Sequence, residues 1–174
     1  AMTSAALATA LSGQVAALQA VAADLGATVG HLKPHGALYN VAATDPATAR
    51  LVATVAADAG IGQLLGPPGS ALEAAAAQAG LRFITEGFAD RSYEADGSLT
   101  PRHQPGALLA SPADVVAQVL RIVRQGEVIA RTGERLHLRV QTLCLHGDTP
   151  GAPGLARGLR AELSAAGIAV GAGD

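Results

Sequence analysis

Apolar residues occur along this chain in two patterns, either every three or four residues or in short continuous runs. Segments with the first pattern alternate with segments with the second. Near the N-terminus, Leu and Val return every three or four residues, which predicts an amphipathic helix that ends at Gly26. The residues of this apolar stripe are Leu7, Leu11, Val15, Leu18, Val21 and Leu25. The next apolar segment, TVGHLK, is short and is stopped by Pro34, so it predicts a short buried strand.

The same alternation continues to the C-terminus, and each further helix has a recognisable start. Asp45-Pro46 predicts a helix that ends at Gly60, and Ser70 with Glu73 forms a capping-box pair before a helix that ends at Gly80. Ser111-Pro112 begins another helix, and the last helix is predicted over residues 152–166. The apolar stripe of the helix after Pro112 consists of Val115, Val116, Val119, Leu120 and Val123.

Short apolar runs between these helices predict the strands. They are IGQLLG, LRFIT, VQTLCLHG and a terminal IAV, with a small hairpin around Thr132-Gly133. A long polar loop is expected from about residue 86 to residue 110. Alternating strands and helices with short connections predict a parallel α/β fold with right-handed crossovers in a single domain, residues 1–174. Periodicity alone does not separate an open sheet from a barrel.

Composition narrows the functional classes. Hydrophobic residues make up 49% of the 174 residues but aromatic residues only 2%, so small side chains should let the helices pack closely. The net charge is −2 and no Lys/Arg cluster occurs, which argues against nucleic-acid binding. The single cysteine, Cys144, rules out an internal disulfide and suits a reducing cytoplasm; it should be buried and inert.

The Ala-rich N-terminal segment resembles a signal peptide only superficially. It lacks a basic start, and Gln14 and Gln19 interrupt it. Ala1 before Met2 is typical of a residual tag. No run is expected to be long and apolar enough to cross a bilayer, so the sequence predicts no membrane partner.

Candidate chemistry gathers where predicted strands end, which is where parallel α/β proteins bind ligands. The first strand runs into Lys33-Pro34-His35-Gly36, with Tyr39 close behind. Lys33 and His35 share one side of an extended segment, so they could supply a cation for an anionic substrate and a proton-transfer group. A solvated loop with a capping histidine is the alternative.

Two later strand ends carry acidic and basic side chains. Asp90-Arg91 could be a carboxylate base beside a substrate clamp, or an ion pair in a loop. His146 and Asp148 could be a general base with its orienting carboxylate, or two metal ligands. Alternatively, Asp148 or Thr149 caps the final helix.

The remaining histidines have simpler expected roles. His31 should pack within its strand, and His137 should lie in the hairpin without a special role. Arg102 and His103 lie between prolines in the long loop, either in a lid or simply exposed. The sequence contains no GxxxxGK[ST], GxGxxG, HExxH, CxxC or GxSxG motif, which argues against a P-loop ATPase, a dehydrogenase, a zincin and a serine hydrolase.

Three long strings, HLKPHGALYN, FADRSYEADGSLTPRHQPGALL and LCLHGDTPGA, closely resemble the LamB/YcsF family in sequence, order and spacing. The resemblance runs from about residue 11 to the C-terminus. Family members begin with an Asp-Leu-Asn-Cys-Asp-type strand, followed by Gly-Phe-His-Ala-Gly-Asp and Gly-Ala-His-Pro segments. None of these occurs here, so the chain resembles roughly the C-terminal two-thirds of the family.

The resemblance implies a parallel β/α barrel of the glycoside hydrolase/deacetylase type, here incomplete. It implies the A component of bacterial 5-oxoprolinase, which opens 5-oxo-L-proline or a related lactam to L-glutamate with ATP, Mg²⁺ and the B and C subunits. Metal-dependent amide hydrolysis, with His35, His146 and Asp148 as ligands, and a non-catalytic partner-binding fragment are the alternatives. An incomplete barrel leaves sheet edges open, which predicts a homo-oligomer.

The resemblance places functional residues inside the matching strings. His35, His146, Asp90 and Asp148 are the implied catalytic residues. Lys33, Tyr39 and Arg91 are implied to bind substrate.

Overall fold

The computed structural model describes residues 2–109, 111–148 and 151–171. The chain divides into two compact units, residues 1–85 and 86–174, and the division falls within one strand. The interpretation of the whole chain as a single domain therefore stays a prediction. The parallel α/β class is confirmed, because every pairing among the four strands that alternate with the helices is parallel.

The first unit contains four helices and three parallel strands. In chain order these are α1 (Ser4–Asp24), β1 (His31–Leu32), α2 (Ala37–Thr44), α3 (Pro46–Asp58), β2 (Gln63–Gly66), α4 (Ala71–Gln78) and the first part of β3 (Arg82–Phe88). Strand β2 pairs with β1 on one side and with β3 on the other. The core of this unit consists of Ala42, Ala49, Val52, Ala53, Leu64, Leu72, Ala75 and Ala76. These small side chains let α2, α3 and α4 pack closely, as the Ala-rich composition predicts.

The helix starts and ends in this unit follow local chemistry. Asp45 caps α3, because its Oδ2 accepts from the Thr48 N–H at 2.8 Å and from the Thr48 hydroxyl at 2.6 Å. The predicted capping box at α4 is not observed, and a different contact stands in its place. Ser70 occupies the N-cap position without a side-chain capping bond, whereas Glu73 accepts from the Gly69 N–H at 2.7 Å.

The first strand and the helix after it differ from the sequence expectation. Only His31 and Leu32 are in strand conformation, and His31 is exposed rather than packed. Residues 37–44 form α2, for which the sequence pattern predicted no helix. Gly36, which has a positive φ, occupies the N-cap position of this helix, and Leu38 and Ala42 pack into the core.

Helix α1 is more exposed than its apolar stripe suggests. Leu7, Leu11 and Val15 are half-buried, but Leu18 and Leu25 are 57% and 79% exposed. By length and composition α1 could cross a membrane, with 21 residues and a mean hydropathy of 1.4, so the expectation that no run meets this criterion is wrong. Signal sequences and core helices also meet it.

The second unit begins inside β3 and continues with α5 (Pro112–Gln125), β4 (Glu127–Ile129), β5 (Arg135–His137), β6 (Thr142–Cys144) and α6 (Ala152–Ala165). The end of β3 pairs in parallel with β6, and β4 pairs with β5 as the predicted hairpin. Ser111 is the N-cap of α5, and its Oγ accepts from the Asp114 N–H. Gly126 is the C-cap and adopts the left-handed αL conformation. The predicted terminal strand, IAV, does not form.

The core of the second unit consists of Ala89, Val115, Val119, Leu159 and Leu163. Two predicted stripe residues of α5 are therefore central to it. Val123 is 44% exposed, and Ile122 is buried instead. The buried face of α5 therefore continues from Val119 to Ile122 and not to Val123.

Candidate active site

The register between β3 and β6 brings an aspartate and a histidine together in the second unit. Glu86 is opposite Thr142 and Phe88 is opposite Cys144, and the Ala89 N–H donates to the Cys144 carbonyl at 2.8 Å. Continuing in this direction, the His146 N–H donates to Asp90 Oδ2 at 3.1 Å. The two side chains therefore meet at the carboxyl ends of neighbouring parallel strands.

The Asp90 carboxylate also contacts the imidazole of His146. Nδ1 of His146 lies 2.9 Å from Oδ1 and 3.1 Å from Oδ2. An ionised carboxylate only accepts hydrogen bonds, so the ring carries its proton on Nδ1 and leaves Nε2 as the proton-accepting nitrogen. The Asp90 side chain is 4% exposed and that of His146 is 12% exposed. This geometry is that of a general base with an orienting carboxylate.

Phe88 holds the ring from one side. Its centroid lies 5.5 Å from that of His146, with the two planes 16° apart. The backbone N–H of Phe88 in turn donates to the Tyr93 hydroxyl at 2.8 Å. Burial, which disfavours the phenolate, together with the nearby Glu86 carboxyl, raises the pKa of Tyr93 far above its usual 10.0. Tyr93 is therefore a neutral, fixed acceptor.

Arg91 follows Asp90 directly, but its guanidinium is occupied by the loop itself. Nε donates to the Ala107 carbonyl at 3.2 Å, and Nη2 donates to the Thr100 carbonyl. The side chain is buried, and that burial, followed by the charge of Arg102, lowers its pKa. These contacts favour a role in holding residues 92–107 over the predicted role as a substrate clamp.

Asp148 is hydrogen-bonded to Arg102, whereas the ring of His146 contacts Asp90, so the orienting role of Asp148 stays a prediction. Asp148 Oδ2 accepts from Arg102 Nη1 at 2.8 Å, and both side chains are largely exposed. This hydrogen bond is the main reason that the pKa of Asp148 lies below 3.8. Gly151 is the N-cap of α6 and no side chain caps this helix, so Asp148 does not cap it. Thr149 lies outside the described residues.

The candidate residues of the first unit form a smaller group. Lys33 is half-buried, and its Nζ lies 5.7 Å from the ring centroid of buried Tyr39, at cation–π distance. His35 is exposed at the end of the loop that precedes α2. The structure thus pairs Lys33 with Tyr39 and places His35 outside that pair.

The other singled-out side chains have no place in these two groups. His103 and His137 are exposed, and Cys144 is half-buried rather than fully buried. Within residues 2–109, 111–148 and 151–171, no three His, Cys, Asp or Glu side chains come together as a metal site would require. The interpretation of His35, His146 and Asp148 as metal ligands stays a prediction.

Sequence reasoning missed the residues that support Asp90 and His146. Phe88 is the last residue of β3 and stands two positions before Asp90, and both side chains contact the ring of His146. Gln118 interrupts the apolar face of α5 between Val115 and Ile122. A polar residue on a buried helix face was a usable signal, because such a residue needs a hydrogen-bond partner.

Comparison with known proteins identifies close relatives. The chain is 51% identical over 160 residues to the A component of 5-oxoprolinase from Symbiobacterium thermophilum, covering 91% of this chain and 61% of the relative. It is 52% identical over 161 residues to the A component of 5-oxoprolinase from Methylococcus capsulatus, covering 91% and 62%. The chain thus spans about three-fifths of the length of these curated relatives.

A solved structure and a family profile agree with these relatives. The crystal structure of a lactam utilization protein from Thermus thermophilus matches with a TM-score of 0.89 and 37% identity, covering 98% of this chain and 68% of that one. This likeness is consistent with the expected partial β/α barrel. The profile of the LamB/YcsF family matches residues 1–173. This chain is therefore a member of the LamB/YcsF family.

Proposed function

We propose that this chain is the corresponding part of the A component of a 5-oxoprolinase and takes part in the hydrolytic ring opening of 5-oxo-L-proline, or a related small lactam, to L-glutamate. The observation that carries the chemistry is the contact between the Asp90 carboxylate and Nδ1 of His146. The substrate class follows from relatives named as 5-oxoprolinase components and a neighbour named lactam utilization protein.

The proposed mechanism assigns proton transfer to His146. An amide carbonyl is a poor electrophile, so ring opening requires a water nucleophile to lose a proton and the lactam nitrogen to gain one. Nε2 of His146 accepts the proton from water, and the resulting imidazolium is stabilised by Asp90, as in other dyads of a histidine and a carboxylate. The same imidazolium can then donate that proton to the departing nitrogen.

The other predicted site residues have separate proposed roles. Lys33, beside Tyr39, is a candidate cation for the substrate carboxylate. His35 stays a candidate second proton-transfer group. Asp148 and Arg91 are proposed to keep the surrounding loop in place, since their polar groups are bonded to Arg102 and to backbone carbonyls, respectively.

The sequence has no P-loop, and the arginines around the second-unit site are bonded within the protein. Arg91 and Arg102 are therefore proposed to stabilise the loop rather than to bind phosphate. ATP, the B and C subunits and a cytoplasmic location are part of the proposal for the assembled enzyme. The names of the relatives, which describe one component of a multi-subunit enzyme, support the part of this proposal that concerns partner subunits.

The test is ATP-dependent glutamate release from 5-oxoproline by this chain mixed with B and C subunits. A matching longer chain that carries the family's N-terminal segments serves as the positive control. His146→Asn and Asp90→Asn should each lower turnover at least 100-fold, because the first removes the base and the second removes its orienting charge. The exposed His103→Asn is the matched control and should leave turnover unchanged.

Each outcome has a distinct meaning. Unchanged turnover in His146→Asn would refute the assignment of the base. Turnover without ATP that a chelator abolishes would favour metal-dependent amide hydrolysis instead. Turnover by the longer chain alone, with tight binding of the present chain to B and C subunits, would make this chain a binding fragment.

Self-association is a further part of this proposal. Strand β1 pairs only with β2 within the first unit, and β6 pairs only with β3 within the second, among the strands that the structure describes. Such one-sided strands offer backbone N–H and C=O groups to another chain. Light scattering coupled to size exclusion should give a mass above 17.2 kDa, and a monomer at all concentrations would refute this expectation.

A further inference from the structure

A glutamine of α5 is bonded to the strand end that carries Asp90. The Nε2 of Gln118 lies 3.0 Å from the Phe88 carbonyl, 3.1 Å from the Ala89 carbonyl and 2.9 Å from the Arg91 carbonyl. The side chain is half-buried. An amide nitrogen carries two hydrogens, so at least one of them is shared between two carbonyls.

These contacts are part of a wider set of hydrogen bonds to the backbone around Asp90. The carbonyls of residues 88, 89 and 91 accept from Gln118, and the Asp90 carbonyl accepts from the Leu109 N–H at 3.0 Å. On the donor side, the Phe88 N–H is bonded to Tyr93 and the Ala89 N–H to Cys144. A strand end with its backbone groups fixed in this way has little freedom to rotate.

The position of Asp90 depends on this strand end. Its carboxylate accepts from both the backbone N–H and the ring Nδ1 of His146, and both contacts fall between 2.9 and 3.1 Å. A displacement of about 1 Å at the backbone would break one or both, since hydrogen bonds weaken steeply beyond their usual length. Proton transfer is equally sensitive to such displacements.

We propose that Gln118 is a positioning residue for proton transfer, which holds Asp90 in the geometry that fixes the Nδ1–H tautomer of His146. This inference deepens the proposed function and rests on it only for the activity measurement. The contacts require a neutral donor. A glutamate side chain would place only hydrogen-bond acceptors against the three carbonyls. Methionine would keep the length of the side chain but would have no donor. Asparagine would keep the amide but move it back by one methylene.

The test uses Gln118→Met and Gln118→Asn in the full chain. Gln125→Met is the matched control, because Gln125 is on the same helix and exposed, with its Oε1 bonded only weakly to Arg121 at 3.3 Å. The ¹⁵N chemical shifts of the His146 ring report its tautomer, and His146→Asn assigns the signal among the five histidines. Turnover in the assembled enzyme is measured in parallel.

In the wild-type protein and in Gln125→Met, the neutral His146 ring should be the Nδ1–H tautomer. In Gln118→Met the ring should become a mixture of tautomers, and kcat should fall at least tenfold with KM little changed. If Gln118→Met lowers thermal stability but leaves the tautomer and kcat unchanged, Gln118 is only a structural tie and the proposal is overturned.

Two provisions keep the test decisive. If Gln118→Met does not fold, the tautomer of His146 and kcat are measured in Gln118→Asn, which retains the amide group, and the same criteria apply. If the wild-type protein shows no turnover with 5-oxoproline, the proposed function fails. The tautomer of His146 still supports or overturns the role of Gln118 on its own.

Discussion

Arg91 is the residue for which the structure most changes the expected role, and its replacement by methionine tests that change. The guanidinium donates to the Thr100 and Ala107 carbonyls, and Thr100 is completely buried. Arg91→Met keeps most of the apolar stem and removes the donors. If Arg91 anchors residues 92–107, this substitution should destabilise the second unit. If Arg91 is a substrate clamp, stability should be nearly unchanged.

The expected loss can be worked out contact by contact. The Thr100 carbonyl loses its bond to Nη2, and an orphaned buried carbonyl costs about 1–3 kcal/mol. The Ala107 carbonyl keeps its bond from the Ser92 N–H at 3.1 Å, so its loss is closer to about 1 kcal/mol. Removing a buried charge returns part of its desolvation cost. The net loss should be about 2–3 kcal/mol.

Hydrogen–deuterium exchange is the assay, because it reports on this loop separately from the rest of the chain. The amides of Ser92 and Thr100, which are bonded across the loop, should exchange about 30- to 150-fold faster in Arg91→Met. Arg135→Met, which removes an exposed arginine outside this loop, is the control and should leave both amides protected. Unchanged protection in Arg91→Met would refute the anchoring role.

Three further predictions concern stability and ionisation. Leu64→Ala should lower the free energy of unfolding by about 2–5 kcal/mol in urea denaturation, because Leu64 is completely buried in the first core. Asp45→Ala should lower the melting temperature at neutral pH, and this difference from wild type should vanish in acid. The hydrogen bonds from Thr48 hold the pKa of Asp45 below 3.8. The cap formed by ionised Asp45 therefore stabilises the fold above pH 3.8, and this stabilisation is lost as the pH falls through the lower pKa of the folded state. Absorbance titration should show that Tyr93 stays protonated where an ordinary tyrosine ionises, at a pKa of 10.0.

Controls make these three results interpretable. Leu18→Ala removes an equal volume from an exposed position of α1 and should change stability little. A melting-temperature difference for Asp45→Ala that persists far below pH 3.8 would contradict the capping explanation. Tyr93→Phe identifies the contribution of Tyr93, since the chain has only two tyrosines. A wild-type minus variant signal that titrates near the ordinary pKa of 10.0 would show that Tyr93 is accessible to solvent.

The helices were predictable from the sequence where their ends carry local signals. Asp45-Pro46 and Ser111-Pro112 act on the backbone within one turn, so each pair marks a helix start through local contacts alone. Helix α2 was missed for the opposite reason. It has eight residues and no side-chain cap, and it depends on packing against neighbouring helices.

The candidate site was predictable as a set of residues but not as a set of partners. Polar residues at strand ends could be named from the sequence, because the topology of parallel α/β folds directs strand ends to one edge. The spacing of His146 and Asp148 suggested that they act together. The structure instead joins His146 to Asp90, which is 56 residues away, and joins Asp148 to Arg102.

The sequence by itself determined the parallel α/β class, most helix boundaries and the family, because these depend on local chemistry and on strings of residues that stand together in the chain. Only the tertiary structure decided which side chains are partners. The register of β3 against β6 brings Asp90 to His146, and the fold of residues 92–107 around Arg91 bonds its guanidinium to the Ala107 and Thr100 carbonyls. Both depend on contacts between residues far apart in sequence, which no local pattern encodes.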